Sequence, residues 1–193
     1  MHDHSNFLFS ESFGFSSENL RATLVPFRSF FKEIHLKKND FLVKEDEICK
    51  YFCFIDEGVL KHSIEIDGQE KTTYLGMKNT ATVALNSFLM QQPSRKSIKA
   101  LFDCHLWIMS RDVFLELRES NSDFRQFYYN LIEKQLCLID EYRLDLLTLS
   151  PEDRYKKLLE NEPKLIHDVP LHYLSSLLGI SDRHMSRIRK NIK

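Results

Sequence analysis

The stretch "LHYLSSLLGISDRHMSRIRK", Leu171 to Lys190, decides how the rest of the chain is read. Two short helices that cross at a steep angle need a small residue at the crossing, a turn residue that tolerates positive φ, and apolar side chains that lock the pair. All three are present: Ser175 at the crossing, Gly179 in the turn, and Leu174, Leu178, Ile180, Met185 and Ile188 as the lock. Ser181 stands where it N-caps the second helix, and Asp182 sets negative charge beside that helix's positive end.

Within the second helix Met185, Ile188 and Ile192 follow an i, i+3, i+7 pattern and face inward. Ser181, Asp182, Arg183, Ser186 and Arg187 fall at its leading end and outer side, the part of such a helix that reaches base edges in a major groove. Arg189, Lys190 and Lys193 are better placed for phosphates. A hairpin that merely closes the fold needs the lock but not the charge. Residues 151–193 carry nine Lys/Arg against six Asp/Glu, a net of +3, which leaves −4 for residues 1–150 of a chain whose total is −1. Five of those basic residues and one acid lie between Ser181 and Lys193, so the sequence favours a DNA-reading helix-turn-helix.

Upstream, "SPED" (Ser150–Asp153) restarts a helix: serine caps, proline fits the first helical position and an acid answers the cap. "PKLIHDVP" (Pro163–Pro170) reads as a connector. Between Arg111 and Leu149 there is no Gly or Pro and apolar residues recur at helical spacing, with "ESNSD" (Glu119–Asp123) separating a short helix from a long one. A seam through Phe124, Leu131 and Leu138, flanked by Phe127, Gln135 and Tyr142, approaches heptad spacing and is the expected dimer interface. From Phe30 to Met109 the pattern is short β-like runs broken by turns, clearest at Asp67-Gly68, and predicts a small sandwich or barrel.

With 193 residues and 42% hydrophobic side chains, the chain can fill ordinary cores. No run of about 18 apolar residues occurs, and "MHDHSNFLFSESFGF" lacks a basic start and a cleavage site, so a cytoplasmic protein with no membrane partner is expected. Cys49, Cys53, Cys104 and Cys137 are scattered without C-x-x-C pairs, and the only H-x-H pair is His2 and His4 at the N-terminus, so no metal or other cofactor is expected. His35, His62 and His105 lack the close spacing of a cupin-type metal site, and no nucleophile and base can be paired, which argues against an enzyme.

These residues resemble the Crp/Fnr (catabolite activator protein) family of transcription regulators. The resemblance rests on Arg154-Tyr155 leading to Leu158-Leu159, then Val169-Pro170, Leu178-Gly179-Ile180 and Ser186-Arg187-Ile188-Arg189-Lys190. It extends upstream through "LKKNDFLVKEDE", "YFCFIDEGVLKHSIEIDGQEK" and "QPSRKSIKALFDCHLWIMSRDVFLEL". It implies an α+β chain divided into a cyclic-nucleotide-binding-like antiparallel β-roll with an N-terminal helix (1–110), a dimerisation helix region (111–149) and a helix-turn-helix domain (150–193). Members that bind cyclic AMP use a Gly-Glu for the ribose and a later arginine for the phosphate. Here those places hold Val83-Ala84 and Ser94, so cyclic AMP is not the expected ligand. Asn86, Ser87, Ser94 and Arg95 are the candidate pocket for an unidentified small-molecule effector. Where relatives often carry a glutamate in the second helix, this chain has Arg183, which prefers guanine or phosphate. The expected partners are DNA as an inverted repeat, a second copy of the chain and RNA polymerase; the rival expectation is a small-molecule sensor signalling through a protein partner.

Overall fold

The computed structural model describes residues 17–192, and these fall into two compact units, residues 17–128 and the chain from residue 129 onward. His2, His4 and Lys193 lie outside the described residues.

The first unit opens with α1 (Ser17–Leu24) and a 3-10 turn (Val25–Phe30). Eight strands follow: β1 (Lys32–Leu36), β2 (Phe41–Val43), β3 (Tyr51–Glu57), β4 (Leu60–Ile66), β5 (Gln69–Gly76), β6 (Thr80–Thr82), β7 (Ser97–Ala100) and β8 (Cys104–Ser110). The helix α2 (Leu85–Met90) interrupts them between β6 and β7. The strands make two four-stranded antiparallel sheets, ordered β1-β8-β3-β6 and β2-β7-β4-β5. The expected tight turn joins β4 to β5: Asp67 and Gly68 both take positive φ (52° and 73°), and Ile66 pairs directly with Gln69.

Phe54, Ile55, Leu60, Leu75, Ile98, Leu106 and Met109 are fully buried in this unit. Beyond the strands, α3 (Arg111–Ser120) and the start of α4 (Ser122–Thr148) add an aromatic cluster. Phe114 is its hub, with ring centroids 5.2 Å from Phe52, 5.3 Å from Phe88, 5.3 Å from Phe124 and 5.2 Å from Tyr128. Phe27 meets Phe124 edge-on at 5.2 Å. Each such pair contributes about 0.5–1.5 kcal/mol beyond the area it buries. The break between α3 and α4 is made by Asn121, whose Oδ1 accepts from the backbone N–H of Asp123 (3.0 Å) and Phe124 (2.9 Å).

The helix α4 spans 27 residues, about 40 Å at 1.5 Å per residue. Its portion from Tyr129 onward belongs to the second unit with α5 (Pro151–Asn161), α6 (Pro163–Asp168), α7 (Leu171–Leu177) and α8 (Asp182–Asn191). Ser150 caps α5 as expected, accepting from Asp153 N–H at 3.2 Å and donating its hydroxyl to the Asp153 carboxylate at 2.7 Å. The segment read as a connector is instead the short helix α6, because Pro163 starts it and Leu165 and Ile166 bury their side chains.

Candidate nucleic-acid interface

The helices α7 and α8 are joined by a turn whose hydrogen bonds follow from Gly179. With φ +69°, Gly179 donates its N–H to the Ser176 carbonyl (3.2 Å), and Ile180 donates to that of Ser175 (3.0 Å). This is the Schellman arrangement, in which a residue with positive φ ends a helix and satisfies its last carbonyls. Leu174, Leu178, Met185 and Ile188 are buried and lock the two helices, as the spacing predicts. Ser175 is buried as well; its hydroxyl reaches the His172 carbonyl at 3.0 Å and also contacts the Asp182 carboxylate. Ser181 has extended backbone, and its hydroxyl accepts from His184 N–H at 3.2 Å, so it caps α8.

Of the residues expected to face bases, Arg183, Ser186 and Arg187 share the exposed side of α8, with Arg189 and Lys190 exposed beside them. Among the described residues, no ion pair or hydrogen bond engages the side chains of Arg183, Arg187, Arg189 or Lys190, whereas Arg21, Arg28, Arg111, Arg118, Arg125 and Arg154 are all engaged. Asp182 is exposed as well, and its carboxylate contacts the Ser175 hydroxyl across the turn. His184 is tied to α5 through Glu152 (Nε2 to Oε1, 3.1 Å). The Glu152 carboxyl lies below its ordinary range, first through its own backbone N–H at the helix start and then through His184.

Two residues of the expected dimer seam, Phe124 and Phe127, are buried within the single chain. Phe124 (0% exposed) and Phe127 (3%) lie in the core of the first unit, where Phe27 and Phe114 surround Phe124. Tyr142 donates its hydroxyl to the Leu177 carbonyl at 3.1 Å. Leu131, Gln135 and Leu138 are half-buried on the same stripe of α4 as Tyr142 and buried Asp145. One exposed apolar stripe of α4 is formed by Tyr129, Leu136 (62% exposed), Ile139 (62%) and Leu146, with half-buried Ile132 between them; Leu144 and Leu147 are exposed off that stripe.

The residues of the expected effector pocket differ in exposure. Ser87 is buried and accepts from Cys49 N–H at 2.8 Å, Ser94 is buried and donates to the Lys96 carbonyl at 2.6 Å, and Asn86 and Arg95 are exposed. A polar group that spacing did not single out lies inside this unit. His62 on β4 is buried, its Nε2 is 2.6 Å from Thr82 Oγ1, and its Nδ1 has no hydrogen-bond partner. Burial pushes the imidazole well below its ordinary range, and the nearby Lys96 ammonium adds to the effect. Alternation could not reveal it, because Leu60, Lys61, His62 and Ser63 are all buried and β4 has no wet face there.

Residues 33–121 match the family model for the cyclic nucleotide-binding domain. A search by sequence among curated proteins finds no match. The chain is similar in structure to the c-di-GMP responsive global regulator CLP of Xanthomonas campestris, with TM-score 0.66 and 16% identity over 89% of this chain and 91% of that one. It is also similar to FixK2 of Bradyrhizobium japonicum (0.68, 15%, 84% of each chain) and to the catabolite activator protein of Thermus thermophilus (0.54, 19%, 93% and 84%). Residues 33–121 thus resemble a cyclic nucleotide-binding domain, and the chain shares its fold with structures that include a global regulator and a catabolite activator protein.

Proposed function

We propose that the protein is a homodimeric, sequence-specific DNA-binding transcription regulator acting on an inverted repeat. The observation that carries this reading is α8: an apolar side locked onto α7, and an exposed side bearing arginines with no protein partner among the described residues. A cation left unneutralised on a surface helix is available to a phosphate or a guanine edge. Arg183 and Arg187 are one turn apart on the helix that enters the groove, and Arg189 and Lys190 serve the backbone. That several structural neighbours are regulators, one of them a catabolite activator protein, supports the same reading.

The second copy is recruited by the exposed stripe of α4. Tyr129, Ile132, Leu136, Ile139 and Leu146 are separated by three, four, three and seven residues, with Arg143 at the skipped heptad position. That spacing suits a two-stranded helical pair, and two-fold symmetry then sets the two α8 helices on successive turns of DNA. The regulator works in the cytoplasm, beside RNA polymerase. Cyclic AMP is not its expected effector: by the family resemblance Val83-Ala84 and Ser94 stand where a ribose carboxylate and a phosphate cation would be needed, and Ser94 is buried and bonded to backbone. Selection of bound duplexes from a random pool, followed by mobility shift, tests the reading. Salt-sensitive binding that prefers a two-fold symmetric sequence is expected; a wild-type protein that prefers no sequence, or that captures a protein partner but no DNA, overturns it.

A further inference from the structure

The last carbonyls of a helix have no partner within it and must find one elsewhere. In α7 the turn takes those of Ser175 and Ser176. The next two are taken by side chains from other helices. Tyr142 of α4 donates to Leu177 O at 3.1 Å, and Arg154 of α5 donates through Nη2 to Leu178 O at 3.1 Å. The second arm of the same guanidinium, Nη1, reaches Leu146 O in the final turn of α4 at 3.4 Å. A third tie lies beneath them: Lys157 Nζ is 2.9 and 2.7 Å from the two carboxylate oxygens of buried Asp145 and 3.7 Å from Glu141. The end of α4 is therefore bonded to the end of α7, and one planar fork bridges them. A guanidinium holds two acceptors at fixed separation, which an ammonium cannot do.

We infer that Tyr142 and Arg154 are positioning residues that clamp the α7–α8 pair onto the C-terminal part of α4 as one rigid body. The inference rests on the proposed dimeric DNA-binding reading for its consequence: the helix that pairs with a second copy also carries the helix that meets bases. The clamp therefore sets the distance between the two α8 helices and with it the half-site spacing. Neither residue touches DNA.

Tyr142→Phe removes one hydroxyl, and Arg154→Lys keeps the charge while losing the fork; both leave the Asp145–Lys157 pair in place. Two measurements decide the matter. In the first, spin labels are placed on Cys137, which is exposed while the other three cysteines are buried, and on an Asn191→Cys substitution. Labelled chains are diluted with unlabelled protein so that the distance within one chain is read. A single narrow distribution is expected for the otherwise wild-type protein and a broadened one for the double variant; equal widths overturn the clamp, whatever DNA binding shows. In the second, duplexes selected by the wild type are lengthened or shortened by one base pair between half-sites. The wild type should lose about tenfold or more in affinity and the double variant about threefold or less, with affinity at the best spacing retained. Broadened distances with unchanged spacing preference overturn the claim that the clamp sets spacing. A wild type that binds no duplex overturns the DNA reading alone, and the label distances still decide the clamp.

Discussion

Arg187 and Lys190 carry the same charge on neighbouring turns of α8, yet their removal is expected to differ in kind. Arg187 can hold a guanine edge through two hydrogen bonds, so Arg187→Ala should cost about 1–3 kcal/mol of discrimination at one base pair and little elsewhere. Lys190→Ala should weaken every sequence alike and reduce the slope of log affinity against log salt by about one. Competition binding over single-base variants of the selected site separates the two; identical profiles would refute the division of roles. Ser181 acts one step earlier, by starting α8. Ser181→Ala leaves the first N–H groups of the helix unsatisfied and should cost about 1 kcal/mol, read as a lower unfolding midpoint of the second unit.

The helix α4 carries two apolar stripes with different duties. Phe124 and Phe127 are part of the aromatic core of the first unit. Phe124→Ala deletes the ring between Phe27 and Phe114 and should destabilise that unit by about 3–5 kcal/mol, measured by denaturant unfolding. Leu136 and Ile139 are mostly exposed in the single chain, so Leu136→Asp with Ile139→Asp should leave each unit folded and convert the dimer to a monomer. Sedimentation velocity together with circular dichroism distinguishes the cases: a folded double variant that still dimerises would refute the exposed seam. The same helix is thus expected to fail in two ways, one by unfolding and one by dissociation.

At the scale of the molecule, the β-unit carries a pH dependence traceable to His62. Its pKa is depressed in the folded state, so below about 6.5 the unfolded chain binds a proton that the folded unit does not. Stability is therefore full above that pH and falls as pH drops below it, by up to about 1.4 kcal/mol per pH unit until the folded pKa is reached. His62→Gln keeps a polar group near Thr82 without the titration and should flatten the stability profile between pH 6.5 and the acid limb. Chemical denaturation at a series of pH values checks this; an unchanged slope in the variant would assign the acid sensitivity to other groups.

The sequence by itself determined the local features. The Asp67-Gly68 turn, the caps at Ser150 and Ser181, the Gly179 turn with its apolar lock, and the basic outer side of α8 each depend on a few neighbouring residues whose conformational preferences act at short range. Only the tertiary structure decided the direction in which α4 faces. Two of its stripes have near-heptad spacing, through Phe124, Leu131 and Leu138 and through Tyr129, Ile132, Leu136 and Ile139. Periodicity states that a stripe is apolar but not which surface covers it, and the Phe114 cluster claims Phe124 and Phe127 for the core. Tyr142 bonds the Leu177 carbonyl, a partner 35 residues away that helical spacing within α4 cannot indicate. Ser87 accepts from Cys49 N–H, a group 38 residues away that only the fold brings to it, and His62 is hidden where β4 is buried on both faces.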